Sequence, residues 1–427
     1  MTGLRRESKR IRDPTWDFSG ENTKISIHGI HTYPAMMIPQ IAKRLMEEYG
    51  KESKMNLDPF CGSGTVLVES MLHNINSYGV DINPLAILLS KVKTTPINHS
   101  ELEKEFIRIC DRIREARWKP EIIQKIETPN FFNIEYWFKP KVIRELSFIK
   151  QIIDNIEDEV VRNFFYVSFS ETVRKVSNTR GGEYKLFRIP ENKLKEWNPD
   201  ALSTFLEISE RNIKMMREFY SSVDIQRIQK GELWSKVLME DMRAKTSIPE
   251  NSVDFIATSP PYGDSRTTVA YGQFSRLTLQ WLDYDYDIVK RIDKISLGGI
   301  RPKKIKDDVP SDTLYNTLEK ISKNDGKRAL DVYSFFSDFN KTVDEINRIT
   351  MENAFVCIVV GNRTVKKINI PTDIILFELF EDRGYTHLKT IVRQIPSKRL
   401  PKKSSPSNIK GDAVSTMNFE YIVILKK

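Results

Sequence analysis

A Gly-x-Gly turn set between a short strand and a helix constrains this chain more than any other feature. The run Asn56-Leu57-Asp58-Pro59-Phe60-Cys61-Gly62-Ser63-Gly64-Thr65 passes from an apolar strand into the turn, and Val66-Leu67-Val68-Glu69-Ser70-Met71-Leu72 follows at helical spacing. Glycines there let the backbone approach a ligand closely, and the helix behind them offers unpaired N–H groups at the positive end of its dipole. The next strand, Ser77-Tyr78-Gly79-Val80-Asp81-Ile82, ends in a carboxylate. An acid at the tip of the second strand of a βαβ unit suits the two hydroxyls of a ribose. Turn and acid together predict an adenosyl ligand. The third glycine of a dinucleotide fingerprint is missing and no Gly-Lys-Ser/Thr occurs, so neither NAD nor ATP is indicated.

A second signal lies about two hundred residues later. The apolar run Val253-Asp254-Phe255-Ile256-Ala257-Thr258 ends in Ser259-Pro260-Pro261-Tyr262. Consecutive prolines have fixed φ and no N–H, so their carbonyls stand rigid and unpaired at the strand tip. Rigid acceptors beside a tyrosine face suit a flat ring bearing an exocyclic amine, which points to chemistry on a nucleobase. A lone Pro-Pro-Tyr is more often an ordinary turn with a packed aromatic; the glycine turn and Asp81 shift that balance.

Asp-Pro-Phe-Cys-Gly-Ser-Gly-Thr, Val-Asp-Ile-Asn-Pro and Thr-Ser-Pro-Pro-Tyr together resemble the S-adenosylmethionine-dependent amino-methyltransferases of DNA, with Ser-Pro-Pro-Tyr similar to the cytosine-N4 branch. The resemblance implies a Rossmann-like α/β fold: a seven-stranded, mostly parallel sheet ending in an antiparallel hairpin. Strands read independently at residues 56–60, 77–82, 236–242, 253–258, 354–360, 387–394 and 420–425 agree with that count. It also implies site roles. Phe60, Gly62, Gly64 and Thr65 form the methionine-side turn, Asp58 meets the amino group, and Asp81 takes the ribose with Ile82 against the adenine. Asp241 binds the adenine amine, and His31, Thr32 and Tyr33 close over the methionine end. Ser259, Pro260, Pro261 and Tyr262 are the catalytic set. Their acceptors hold the target amine, and Tyr262 stacks on a base flipped out of the duplex.

The catalytic domain is expected over residues 1–96 and 231–427, with a helical insertion at 97–230 and a basic insertion at 282–331. The chain carries 67 Lys+Arg against 58 Asp+Glu, an excess that fits a polyanionic partner. From Lys290 to Lys306 seven basic residues face one Asp, and from Arg393 to Lys410 six face none. Read as surface loops, these place Lys290, Arg291, Arg301, Lys303, Lys304, Lys398, Arg399, Lys402 and Lys403 on double-stranded DNA, with Arg266 in the substrate-facing loop. Arg174, Lys175, Asn178 and Arg180 of the helical insertion are candidate target-reading contacts.

The three cysteines and five histidines are scattered, so neither a disulfide frame nor a metal site is expected. No Pro-Cys occurs, which argues against cytosine-C5 chemistry; Cys61 reads as a packing residue. A monomeric prokaryotic cytoplasmic enzyme is expected, without a membrane span and with a separate cognate restriction endonuclease. The alternatives are adenine-N6 methylation on the same scaffold, guanine-N2 methylation of RNA, and a non-catalytic nucleic-acid-binding module.

Overall fold

The computed structural model describes residues 9–181, 183–396, 403–404, 414–415 and 417–427. Eight strands form its main sheet: β1 (Arg10–Arg12), β2 (Met55–Asp58), β3 (Asn76–Val80), β4 (Ser235–Leu238), β5 (Val253–Thr258), β6 (Thr350–Val360), β7 (Thr386–Gln394) and β8 (Phe419–Lys426). Their spatial order is β1-β7-β8-β6-β5-β2-β3-β4. Only β8 runs against its neighbours, pairing antiparallel with both β6 and β7. The seven expected strands are all present. β4 stops at Leu238 rather than running to residue 242, and the eighth strand, β1, extends the sheet parallel to β7.

Alternation along the buried strands explains the two covered faces. Phe255 and Ala257 of β5 point to one face, where Trp16 and the helix α1 (Pro39–Tyr49) pack on them. Ile256 points to the other, with Val356 and Ile358 of β6, and Val253 joins it because the pairing with β6 shifts register between Val253 and Phe255. The helices α2 (Thr65–Leu72) and α3 (Pro84–Lys93) follow β2 and β3. Asn83 caps α3, its side chain accepting from the Leu85 N–H.

Residues 97–230 are helical over much of their length. Their long helices α4 (His99–Trp118), α5 (Pro140–Asp154), α6 (Glu159–Val176) and α7 (Ala201–Ser222) do not form a core of their own. Phe138, Phe169 and Phe205 belong to one hydrophobic cluster with Leu85 and Leu89 of α3 and Phe274 and Trp281 of α8 (Tyr271–Trp281).

The basic stretch from Lys290 is likewise not all loop. It opens inside α9 (Tyr286–Ile295), whose Val289 and Ile292 are buried. Beyond it come α10 (Asp312–Ser322), α11 (Gly326–Ile349) and α12 (Thr372–Glu381). Among the described residues, no helix is long and apolar enough to cross a membrane.

Candidate active site

The chain reverses its direction of travel across the sheet between β2 and β5. It moves outward through β3 and β4, then returns to place β5 and β6 on the other side of β2. In open α/β sheets such a switch point opens a crevice at the carboxyl ends of the strands. β2 and β5 are parallel neighbours, with Asn56 opposite Phe255 and Leu57 opposite Ile256. Their tips therefore lie side by side, and Thr258 Oγ1 donates to Asp58 Oδ1 at 2.6 Å. The glycine turn and Ser-Pro-Pro-Tyr, distant in sequence, open from adjacent strand ends.

Between them lies a cleft of about 900 Å³, open water at its mouth included. Asp58, Phe60, Gly62, Thr65, Asp81, Ile82 and Asp241 line it, together with Tyr33, Ser259 and Pro261. Gly62 and Gly64 both take left-handed φ, at 48° and 79°. A Cβ on Gly64 would stand 3.0 Å from the Ser90 backbone, so that position resists any side chain.

Two acids face the cleft, Asp58 buried and Asp81 half-buried. Asp81 accepts from the Gly62 N–H at 3.0 Å and from the Asn83 N–H at 2.8 Å, and burial raises its carboxyl to about 6. Asp58 accepts from Thr258 and from the Phe60 N–H, yet burial lifts it further, to about 7. Acids strained in this way favour a cationic or hydroxyl-bearing ligand.

The outer wall is aromatic and apolar. Tyr33 packs on Tyr271 with centroids 5.8 Å apart, and Asn83 Nδ2 donates to the Tyr33 hydroxyl at 3.0 Å. Opposite stand Ile292, Ile295 and Leu297, from α9 and the turn after it. Asp241 lies in the loop past β4, where Arg243 grips both its carboxylate oxygens. The same guanidinium reaches Asp338 and the Ile295 carbonyl, tying α9 to that rim.

Tyr262 is held from behind. Its hydroxyl donates to Glu420 Oε1 of β8 at 3.1 Å, and Arg393 of β7 pairs with the other carboxylate oxygen. Arg393 also donates to the Trp16 carbonyl at 2.7 Å and the Asp17 carbonyl at 3.1 Å. Burial and the adjacent Glu420 push the Tyr262 phenol well above its ordinary range, so it stays a donor. Gly361 makes room for the ring, since a Cβ there would meet Tyr262 Cδ2 at 2.8 Å.

A family model described as DNA methylase covers residues 4–91. The chain is also 42% identical to the type II methyltransferase M.MvaI of Kocuria varians, over 98% of this chain and 95% of that protein. It belongs to the restriction–modification DNA amino-methyltransferases. More distant relatives of this methyltransferase are M.MjaII of Methanocaldococcus jannaschii, 23% identical over 72% of each chain, and M.BsoBI of Geobacillus stearothermophilus. The latter is 24% identical over 67% of this chain and 58% of its own length.

The methyl donor of the family is S-adenosyl-L-methionine, and the cleft of this methyltransferase fits it. A glycine cradle, a strand-tip acid beside an N–H pair, and a second, buried acid suit a ligand carrying a ribose, an ammonium and a sulfonium. Other expected residues sit elsewhere. His31, Thr32, Gly64, Pro260 and Tyr262 do not line the cleft, the last three flanking residues that do. His31 turns toward α6, its ring nitrogens meeting the Thr32 carbonyl at 2.5 Å and Ser170 Oγ at 3.0 Å, and burial lowers it to about 4. It supports the wall that Tyr33 forms.

The expected DNA contacts divide. Arg174 is largely enclosed, 3.7 Å from the Phe274 ring centroid and donating to the Phe274 and Glu183 carbonyls, so it builds the insertion rather than facing a partner. Asn178 is buried and donates to the Tyr136 carbonyl. Arg301 makes a two-toothed pair with buried Asp331. Lys175 pairs with Glu171 at 3.2 Å but stays exposed, as do Arg180, Arg266, Lys290, Arg291, Lys303 and Lys304. Lys398, Arg399 and Lys402 lie outside the described residues, and of Lys403 only the backbone pairing with Ser415 is described.

Sequence reasoning missed Asn83, Tyr271, Arg243 and the apolar residues of α9. Asn83 sits in the quoted Val-Asp-Ile-Asn-Pro motif and was within reach. Ile292 and Ile295 were hidden in a stretch read for its charge.

Proposed function

We propose that the chain transfers a methyl group to the exocyclic N4 of a cytosine flipped out of duplex DNA. The single observation that supports this most is one cleft lined by Asp58, Gly62 and Asp81 on one side and Ser259 and Pro261 on the other. The bound donor supplies an electrophilic methyl whose leaving group departs neutral. Ser259 Oγ and the Pro260 carbonyl accept from the amine, turning its lone pair out of conjugation with the ring and toward that methyl. Tyr262, fixed through Glu420, offers its ring to the base and offsets part of the few kcal/mol that flipping costs.

Duplex recognition falls to the exposed Lys175 and Arg180 of the segment 174–188 and to the exposed lysines beyond α9. Two contacts join Tyr184 and Leu186 to α8, the helix whose Tyr271 lines the cleft: Leu186 N–H donates to Gln273 at 3.4 Å, and the Tyr184 ring lies 6.0 Å from Phe274. The proposed setting is a restriction–modification pair whose endonuclease is a separate chain.

Mass spectrometry of nucleosides from DNA treated with the chain and donor tests the base. N4-methylcytosine is expected. N6-methyladenine in its place would assign the chain to the other amine, and modification of RNA alone would overturn the reading.

A further inference from the structure

Around the loop that follows Tyr262, four arginines gather on two buried aspartates. Arg363 Nη2 lies 2.7 Å from Asp264 Oδ2, and Arg301 binds Asp331 through Nε at 2.7 Å and Nη2 at 2.8 Å. Arg328 Nη1 reaches the same Asp331 at 2.9 Å, and Arg266 Nε stands 3.9 Å from it. Thr267 joins the halves, since its Oγ1 accepts from Arg328 at 3.1 Å and from Arg363 at 3.3 Å while donating to Asp264. Both aspartates are wholly buried, whereas Arg266, Arg301 and Arg328 keep 42%, 29% and 21% of their side chains exposed. The nearby Asp325 is matched by Lys366 at 3.1 Å. Four guanidiniums on two carboxylates leave an excess of two positive charges; Arg266, Arg301 and Arg328 reach solvent, while Arg363, 12% exposed, lies deepest, beside the Gly263 backbone.

This excess adjoins the proposed base pocket. A Cβ on Gly263, the residue after Tyr262, would stand 2.5 Å from the Arg363 guanidinium carbon, so Arg363 lies flat on that backbone. Arg328 adds its charge within the first turn of α11, at the positive end of a 24-residue helix. Everting a nucleotide swings its own phosphates with it, and a fixed arginine cluster suits a phosphodiester through paired N–H donors.

We propose that Arg266, Arg301, Arg328 and Arg363 form a clamp for one phosphodiester of the flipped nucleotide, oriented from below by Asp264 and Asp331. This rests on the reading of the chain as a base-flipping DNA methyltransferase. It adds Arg328 and Arg363 to the residues expected on DNA and gives Arg266 and Arg301 one specific ligand.

The test uses full-length protein with bound cofactor and duplexes carrying a single uncharged methylphosphonate, placed on either side of the modified base once that base has been located. At one of these two positions the neutral linkage is expected to weaken wild-type binding by about tenfold or more. Arg266→Gln leaves both aspartates paired, and the double variant Arg328→Gln/Asp331→Asn removes one charge of each sign, so both are expected to fold. Each is expected to weaken binding to normal DNA; Arg266→Gln also lowers the slope of log affinity against log salt by roughly one. On methylphosphonate DNA both losses shrink toward nothing.

Full additivity of variant and linkage effects, or indifference to both linkages, overturns the clamp while leaving the methyltransferase reading intact. A protein that binds donor but neither flips nor methylates a base overturns both. Donor affinity by calorimetry, unchanged in the variants, separates these results from misfolding.

Discussion

Asp58 holds a proton near neutrality that it would give up in water, because burial raises its carboxyl to about 7 from an ordinary 3.8. A folded-state value above the unfolded one means the protonated acid is the comfortable form. Its contribution to stability is therefore complete below about pH 4 and is lost as pH rises through about 7. Asp58→Asn is expected to flatten that decline in thermal melts of the unliganded protein. The donor's ammonium placed beside Asp58 reverses the preference. Binding near pH 6.5 should then expel protons, and donor affinity should climb between about pH 5 and 7. Calorimetry in two buffers of different ionisation enthalpy measures the release. Identical heats in both buffers would remove Asp58 from the ammonium site. Tyr262 offers a second test. Tyr262→Phe keeps the ring but frees it from Glu420, which Arg393 continues to hold. A fall of about tenfold in kcat with unchanged donor affinity is expected from losing one hydrogen bond to a charged acceptor. An unaltered rate would mean that packing alone orients the ring.

The element least legible in the sequence, β1, turns out to brace the site. Arg10-Ile11-Arg12 carries no apolar run because it is an edge strand of three residues, and its pairing is set by partners some 380 residues away. Arg10 grips buried Asp373 at 2.8 Å and 2.9 Å, and the turn after it seats Trp16 against α1 and offers its carbonyl to Arg393. The central strands β5 and β6 were legible because buried parallel strands run rich in Val, Ile and Phe, and the other five as short runs bearing an apolar core residue between turn signals. The cofactor turn was legible because its glycines take φ values that other residues avoid. What failed was reading charge without periodicity. Val289 and Ile292 recur at helical spacing inside a basic stretch, and that spacing outranks the charge count. Arg174 failed for a related reason: sequence does not reveal that an arginine has a phenylalanine face and two carbonyls waiting. At this scale Trp16→Ala is the informative change. It should cost about 3–5 kcal/mol of stability, speed hydrogen exchange in β1 and β7, and lower methylation beyond what the loss of folded protein explains. Exchange confined to residues 10–17 would break the proposed link from edge strand to Tyr262.

Across the whole molecule, the helical insertion and the cofactor half share a core, from which one cooperative unfolding unit is expected. Trp281 shows why. It is fully buried, with the rings of Phe131, Phe138 and Phe169 at 5.5, 5.6 and 6.0 Å, so three insertion aromatics close on the last turn of α8. The first residue of that helix, Tyr271, packs on Tyr33 and lines the cleft. A single rigid helix thus carries insertion packing at one end and a wall of the donor site at the other. Sites joined through packed elements share stabilisation, so a ligand at one end protects the other. Scanning calorimetry should give one transition, and saturating donor should raise it as a unit while slowing hydrogen exchange in α5 and α6 as well as around the glycine turn. Trp281→Ala, which opens a large cavity, is expected to lower that transition by several kcal/mol in stability and to weaken donor binding although it touches no donor atom. A low-temperature shoulder assignable to residues 97–230, insensitive to donor, would mean that the insertion melts alone. It would then have to be treated as a docked reader of DNA, free to move independently of the chemistry it directs.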